Sequence, residues 1–150
     1  MEALSAACRL KNEGEGYENI PYSRGAAAVH QHVSAGENGL AAAVDPAAGA
    51  QEYLRLLEQE GARLTHILLT HGHYDHVGAV EELQRKTDAK VWLAPQDARG
   101  GELFPFTTPD NAYADGEEIR VDTDLAFRVI ATPGHSAGSV CLLCGGLLFS

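Results

Sequence analysis

At 150 residues the chain is long enough for one domain with a core of its own, and an apolar fraction of 45% is ordinary for a soluble fold. Asp and Glu outnumber Lys and Arg 21 to 11, and the net charge of −10 argues against a phosphate-backbone partner, which wants a basic face. No run reaches the length of a transmembrane helix, three cysteines do not make a disulfide framework, and Met1–Gly16 shows no secretory pattern, so a cytoplasmic protein is expected.

Residues 1–24 carry no obvious period, and Glu13-Gly14-Glu15-Gly16 reads as a flexible acidic patch, so this segment is set apart from an expected domain at 25–150. Ala26–Val33 is a weak, alanine-rich strand. His30 and His32 share one of its faces, but no third ligand lies near in sequence, and they read as solvated edge histidines. Ser34–Gly39 is a turn with a hairpin signal at Asn38-Gly39, and Leu40–Val44 is the returning strand, ending at Asp45-Pro46. Glu52–Glu60 is an amphipathic helix with Tyr53, Leu54, Leu56 and Leu57 on its apolar side and Gly61 as its C-cap. Thr65–Thr70 is a buried strand, Gly78–Thr87 the next helix and Lys90–Ala94 the next strand, closed by Pro95. That alternation indicates α/β architecture, with helices covering a sheet.

Gln96–Ala114 is a long irregular connection containing Phe104, Pro105, Phe106 and Pro109, which suits either a substrate mouth or a packed surface loop. Asp115-Gly116 turns the chain into strands at Glu118–Val121 and Leu125–Ala131. The chain closes on an apolar strand, Leu142–Phe149. Cys141 and Cys144, three apart on a strand, face opposite sides and read as small apolar residues rather than a redox or zinc motif.

The chemistry is concentrated in Thr70-His71-Gly72-His73-Tyr74-Asp75-His76, directly after Ile67-Leu68-Leu69. Four metal-capable side chains in six residues are costly to bury without a partner. Neutral imidazoles and a carboxylate suit zinc, and iron or manganese less exclusively. The alternation of an extended turn lets His71 and His73 aim at one ion, while His76 breaks it and should aim elsewhere. This suggests two adjacent sites, with Asp75 and His76 at the N-terminal end of a helix starting near Val77-Gly78. His135, in Thr132-Pro133-Gly134-His135-Ser136, is a fifth candidate, again on a turn after a strand.

These two runs together resemble the metallo-β-lactamase superfamily, whose His-x-His-x-Asp-His signature the first one matches. Val44-Asp45-Pro46 and Asp115-Gly116 sit where members carry similar residues, and the resemblance runs from about Leu40 to Ser150. It implies an αββα sandwich with the metal site at one edge of two sheets. His71, His73 and His135 would hold a first metal and Asp75 and His76 a second, with Asp75 also orienting the attacking hydroxide. The flavour is closest to glyoxalase II-like hydrolases, which implies hydrolysis of a small thioester with one or two zinc ions.

Members of the family continue, after a strand like Leu147–Ser150, into a Gly-Asp that bridges the metals, and then to a last histidine. The C-terminal part of the sandwich is therefore expected to be missing here, with a second copy or a complementing chain as a partner. Two other readings follow: a non-catalytic remnant that binds one metal or none, and a non-haem iron persulfide oxygenase. A small-molecule substrate is expected, with no nucleic acid and no membrane.

Overall fold

A computed structural model describes residues 18–22, 31–47 and 49–150. The acidic Glu13–Gly16 patch, His30, Cys8 and the start of the expected Ala26–Val33 strand lie outside the described residues.

Two sheets stack face to face. The first has the order β1 (Glu18–Tyr22), β2 (Gln31–Ala35), β3 (Leu40–Val44), β4 (Arg63–Leu68) and β5 (Lys90–Trp92). Strands β1 to β3 pair antiparallel, and β3 to β5 pair parallel through the crossover helices α1 (Ala50–Glu60) and α2 (Val80–Thr87). Both crossovers move in the same direction across the sheet, so right-handed connections place both helices on one face. The second sheet is an antiparallel meander of β6 (Glu118–Arg120), β7 (Ala126–Ala131), β8 (Val140–Cys144) and β9 (Leu147–Phe149).

Alternation along each strand sorts the core into two layers. Ala41, Ala43, Ile67, Leu69 and Val91 face the helices, where Tyr53, Leu57, Val80 and Leu83 meet them. Ala42, Val44 and Leu68 face the second sheet and pack on Leu125, Phe127, Val129 and Leu142. The central strands are thus buried on both faces, as parallel strands under helices must be. Among the described residues, helices cover the first sheet only, and the outer face of the second leaves Leu148 and Ile130 exposed.

Several expectations from the sequence need correction. Glu18–Tyr22, in the stretch without a period, is a strand paired along its length with β2. That makes β2 an interior strand, so His32 is no solvated edge residue: its ring packs edge-on against Phe149 at 4.8 Å. Helix α1 begins two residues earlier than expected, and Gly61 caps it in the left-handed conformation, φ 63°. Helix α2 starts at Val80, not Gly78. The Ala79 N–H donates to Pro46 O at 2.8 Å, and a Cβ at Gly78 would stand 2.7 Å from Ala47 O, so this segment is spent on the loop after β3. Asp75 and His76 lie instead in a separate 3-10 turn, Tyr74–His76, and not at a helix N-terminus. The closing apolar run is two strands, broken at Gly145, whose φ of 57° suits a tight turn.

Candidate metal centre

The loops that follow β3, β4 and β5 leave the first sheet at one edge, the C-terminal edge of its parallel strands, where α/β folds place their sites. Asp45 leaves β3 in the left-handed region, φ 46°, which turns its carboxylate under the next loop. There Oδ1 accepts the Thr70 N–H at 2.8 Å and Oδ2 accepts the Thr70 hydroxyl at 2.6 Å. With its proton given to Asp45, the Thr70 oxygen is left to accept from His71 Nδ1 at 3.0 Å. His71 therefore carries its proton on Nδ1 and keeps a lone pair on Nε2.

That Nε2 is buried with no hydrogen-bond partner. Leaving such an atom bare costs roughly 1–3 kcal/mol, and a cation is a partner that would satisfy it. Burial pushes the His71 pKa down to about 4, His76 adding to the shift and Asp45 opposing it, so the ring is neutral at physiological pH, as a metal ligand must be.

His73 Nδ1 and His135 Nε2 stand 3.0 Å apart. The rings of His71, His73 and His135 meet pairwise near right angles with centroids 4.7 to 4.9 Å apart, and their donor atoms all lie within 4.8 Å. Tetrahedral zinc at Zn–N of about 2.05 Å sets ligand nitrogens roughly 3.3 Å apart, so small side-chain rotations bring the three onto one ion. The donor set fits zinc, and iron less exclusively.

Asp45, His71 and His76 form a second grouping within the same 4.8 Å limit. The His76 ring lies 4.0 Å from that of His71, so it does not aim elsewhere, as its place in the spacing suggested. Its Nδ1 is 3.1 Å from Asp45 Oδ2. Burial alone would lower the His76 pKa, but the Asp45 carboxylate 3.1 Å from its Nδ1, with Asp75 adding, outweighs it and raises it. Asp75 is 48% exposed and stands at the rim, its Oδ2 3.9 Å from His76 Nε2.

Phe104 forms one wall, its ring 4.6 Å from His73, with the Arg99 guanidinium 4.0 Å over its face. In the long connection, Phe104 borders the histidines and Phe106 is buried in the core cluster that includes α1 and α2. An open cavity of about 360 Å³ is lined by His71, His76, His135, Thr132 and Cys141. Cys144 is buried between the sheets and Cys141 faces the other way, as their spacing requires.

The superfamily described as Metallo-beta-lactamase matches residues 35–149. The chain belongs to the metallo-β-lactamase superfamily. Over 123 residues it is 34% identical to a hydroxyacylglutathione hydrolase of Methylobacillus flagellatus, covering 81% of this chain and 44% of that protein. Over 102 residues it is 43% identical to a hydroxyacylglutathione hydrolase of Nitrobacter winogradskyi, covering 68% of this chain and 37% of that one. The chain thus spans less than half the length of these two relatives. A solved structure, TTHA1623 in a di-iron-bound form, superposes with a TM-score of 0.69 at 29% identity, over 87% of this chain and 70% of that one. No helix among the described residues is long and apolar enough to cross a membrane.

Two residues beside this metallo-β-lactamase site were not among those expected to hold a metal. Asp45 gave a signal only as part of Val44-Asp45-Pro46, which sits where members of the superfamily carry similar residues. Asp97 gave none, because an acid after Pro95 in a long loop reads as solvated surface, yet it is fully buried.

Proposed function

We propose that the chain is the metal-binding part of a hydrolase acting on a small thioester, with zinc held by His71, His73 and His135. The observation that carries this is the convergence of three ring nitrogens, one of them buried and otherwise unpartnered. The names of the two relatives point to a hydroxyacyl thioester of glutathione as the substrate class. A zinc ion there would act as a Lewis acid on the thioester carbonyl and lower the pKa of water to roughly 7.

The residues around it have separable tasks. Thr70 and Asp45 fix the His71 tautomer and ring orientation, which keeps Nε2 unprotonated. The Asp45 carboxylate also faces His76 Nδ1 at 3.1 Å, with His76 Nε2 3.9 Å from Asp75 Oδ2. To Asp75, half exposed at the rim and outside both donor groupings, we assign the orienting of the attacking water. Phe104 and Arg99 border the mouth where an acyl group would enter. Iron in place of zinc is the second reading, favoured by the structural neighbour in its di-iron form.

Metal content of size-fractionated protein, followed by thiol release from a hydroxyacylglutathione thioester, tests the reading. About one zinc per chain with thiol release that His135→Ala abolishes is the expected result. Bound zinc with no thiol release would leave a binding module instead of a hydrolase, and no retained metal would sink the reading altogether.

A further inference from the structure

Asp97 belongs to neither histidine loop, yet it is bonded to both. It ends the 3-10 turn Pro95–Asp97 that follows β5. Oδ2 accepts the Gly72 N–H at 3.0 Å and the Ser136 hydroxyl at 2.5 Å, and Oδ1 accepts the Gly138 N–H at 3.0 Å. Ser136 gives its hydroxyl proton to Asp97, so Ser139 donates its own to Ser136 Oγ at 2.7 Å, while Ser139 Oγ accepts the Ser136 N–H at 3.0 Å. One carboxylate therefore spans the residue between His71 and His73 and the residues just after His135.

The fit is close enough to dictate sequence on both sides. A Cβ at Gly72 would stand 2.7 Å from Asp97 O and 3.1 Å from Asp97 Cβ. At Gly138 it would stand 2.9 Å from Asp97 Oδ1 and 2.7 Å from Ala94 Cβ. A carboxylate withdrawn from water is tolerated only with its acceptor sites filled. Here they are filled only when both loops are seated.

We propose that Asp97 is a positioning residue: it holds the His71–His73 loop and the His135 loop in one register, so that the three imidazoles converge before any metal ion arrives. This rests on the reading of those histidines as a metal site. Its hydrogen bonds go to main chain and to Ser136, so it acts through the loops and not on an imidazole. Ligands ordered in advance bind with less loss of conformational freedom.

The test is zinc affinity by competition with a chromophoric chelator for the wild type, Asp97→Asn, Asp97→Ala and Ser136→Ala. Asp122→Ala, which removes a hydrogen-bonded carboxylate at the opposite edge, serves as control. Amide hydrogen exchange of the metal-free proteins is measured alongside. Both Asp97 variants should lose about 10–100-fold in zinc affinity and Ser136→Ala less, with Asp122→Ala within about twofold of the wild type. In metal-free Asp97→Asn, the amides of residues 71–73 and 135–138 should lose protection together while α1 and α2 keep theirs.

Asp97 variants that bind zinc as the wild type does, or an equal loss in Asp122→Ala, overturn the proposal. Should Asp97→Ala not fold, Asp97→Asn and Ser136→Ala decide it. Should the wild type take up no zinc, the metal reading fails and the clamp is judged on exchange alone. Unchanged protection at Gly72 and Gly138 in Asp97→Asn then rejects it.

Discussion

At the edge away from the histidines, Asp122 does for the β2–β3 turn what Asp97 does for the histidine loops. Its carboxylate accepts the Asn38 N–H at 3.0 Å, the Asn38 side-chain amide at 2.8 Å, the Leu40 N–H at 3.2 Å and the Thr123 N–H at 2.7 Å. The neighbouring Asp124 accepts the Glu37 N–H at 2.9 Å. Gly36 lies against this pair as Gly72 and Gly138 lie against Asp97: a Cβ there would fall 2.4 Å from Asp122 Cβ. Both edges thus close sheet against sheet with an aspartate that collects main-chain donors and a glycine that lets it approach. The difference is in the cargo. The Asp122 latch carries a plain turn, and the Asp97 latch carries imidazoles, so damage at one edge should cost stability alone and damage at the other should cost stability and metal affinity together.

The sharpest way to break this comparison is to remove the cargo and leave the latch. His71 belongs to both donor groupings, so His71→Ala should abolish stoichiometric metal by elemental analysis while the far-ultraviolet circular dichroism of the metal-free chain stays unchanged. A variant that retained a full equivalent of metal would show that the donors had been misidentified.

The paired glycine substitutions come next. Gly138→Ala and Gly36→Ala should each cost about 1–3 kcal/mol in urea unfolding, because each new methyl must displace packed atoms. Zinc affinity should fall about tenfold in Gly138→Ala and stay level in Gly36→Ala. Equal affinities in the two would erase the distinction between the edges.

A pH titration sharpens the comparison further. The Asn38 side-chain amide, with the Thr123, Leu40 and Asn38 main-chain N–H groups, holds the Asp122 carboxyl below the usual carboxylate range against a smaller opposing effect of burial. A carboxyl lower in the folded than in the unfolded chain contributes stability above the unfolded pKa of about 3.9, and this is lost as pH falls through the folded value. Asp122→Asn should therefore show a shallower acid limb than the wild type, below about pH 4, in unfolding free energy against pH.

The smallest effect is expected away from both edges. Lys86→Ala breaks an exposed pair with Glu82 at 3.2 Å on α2, and should change stability by about 0.5 kcal/mol or less without touching metal affinity.

The sequence made the candidate ligands legible and their supports illegible, for a physical reason. A metal loop must crowd donors into a few residues after a strand, so His71, His73 and His76 stand out by spacing alone. Their supports are assembled from distant loops: Asp97 lies 25 residues from Gly72 and 41 from Gly138. Such a contact leaves no local period to read. The parallel strands and helices were legible because burial on both faces demands continuous apolar runs, as in Ile67-Leu68-Leu69. Glu18–Tyr22 was not, since a strand of Glu, Asn, Ile, Pro and Tyr shows no alternation. The α2 boundary was missed because the segment before it is bonded to the Pro46–Ala47 loop, a tertiary contact that a helix-start pattern does not reveal.

Trp92 is the chain's sole tryptophan, and it sits on the margin of the layer between the sheets with its indole stacked on the His66 ring, centroids 4.8 Å apart and planes 15° from parallel. Burial holds the His66 pKa below its ordinary value, which favours the uncharged imidazole against the indole. The protein therefore carries a built-in fluorophore, whose emission is expected to report the parting of its two sheets with no label attached.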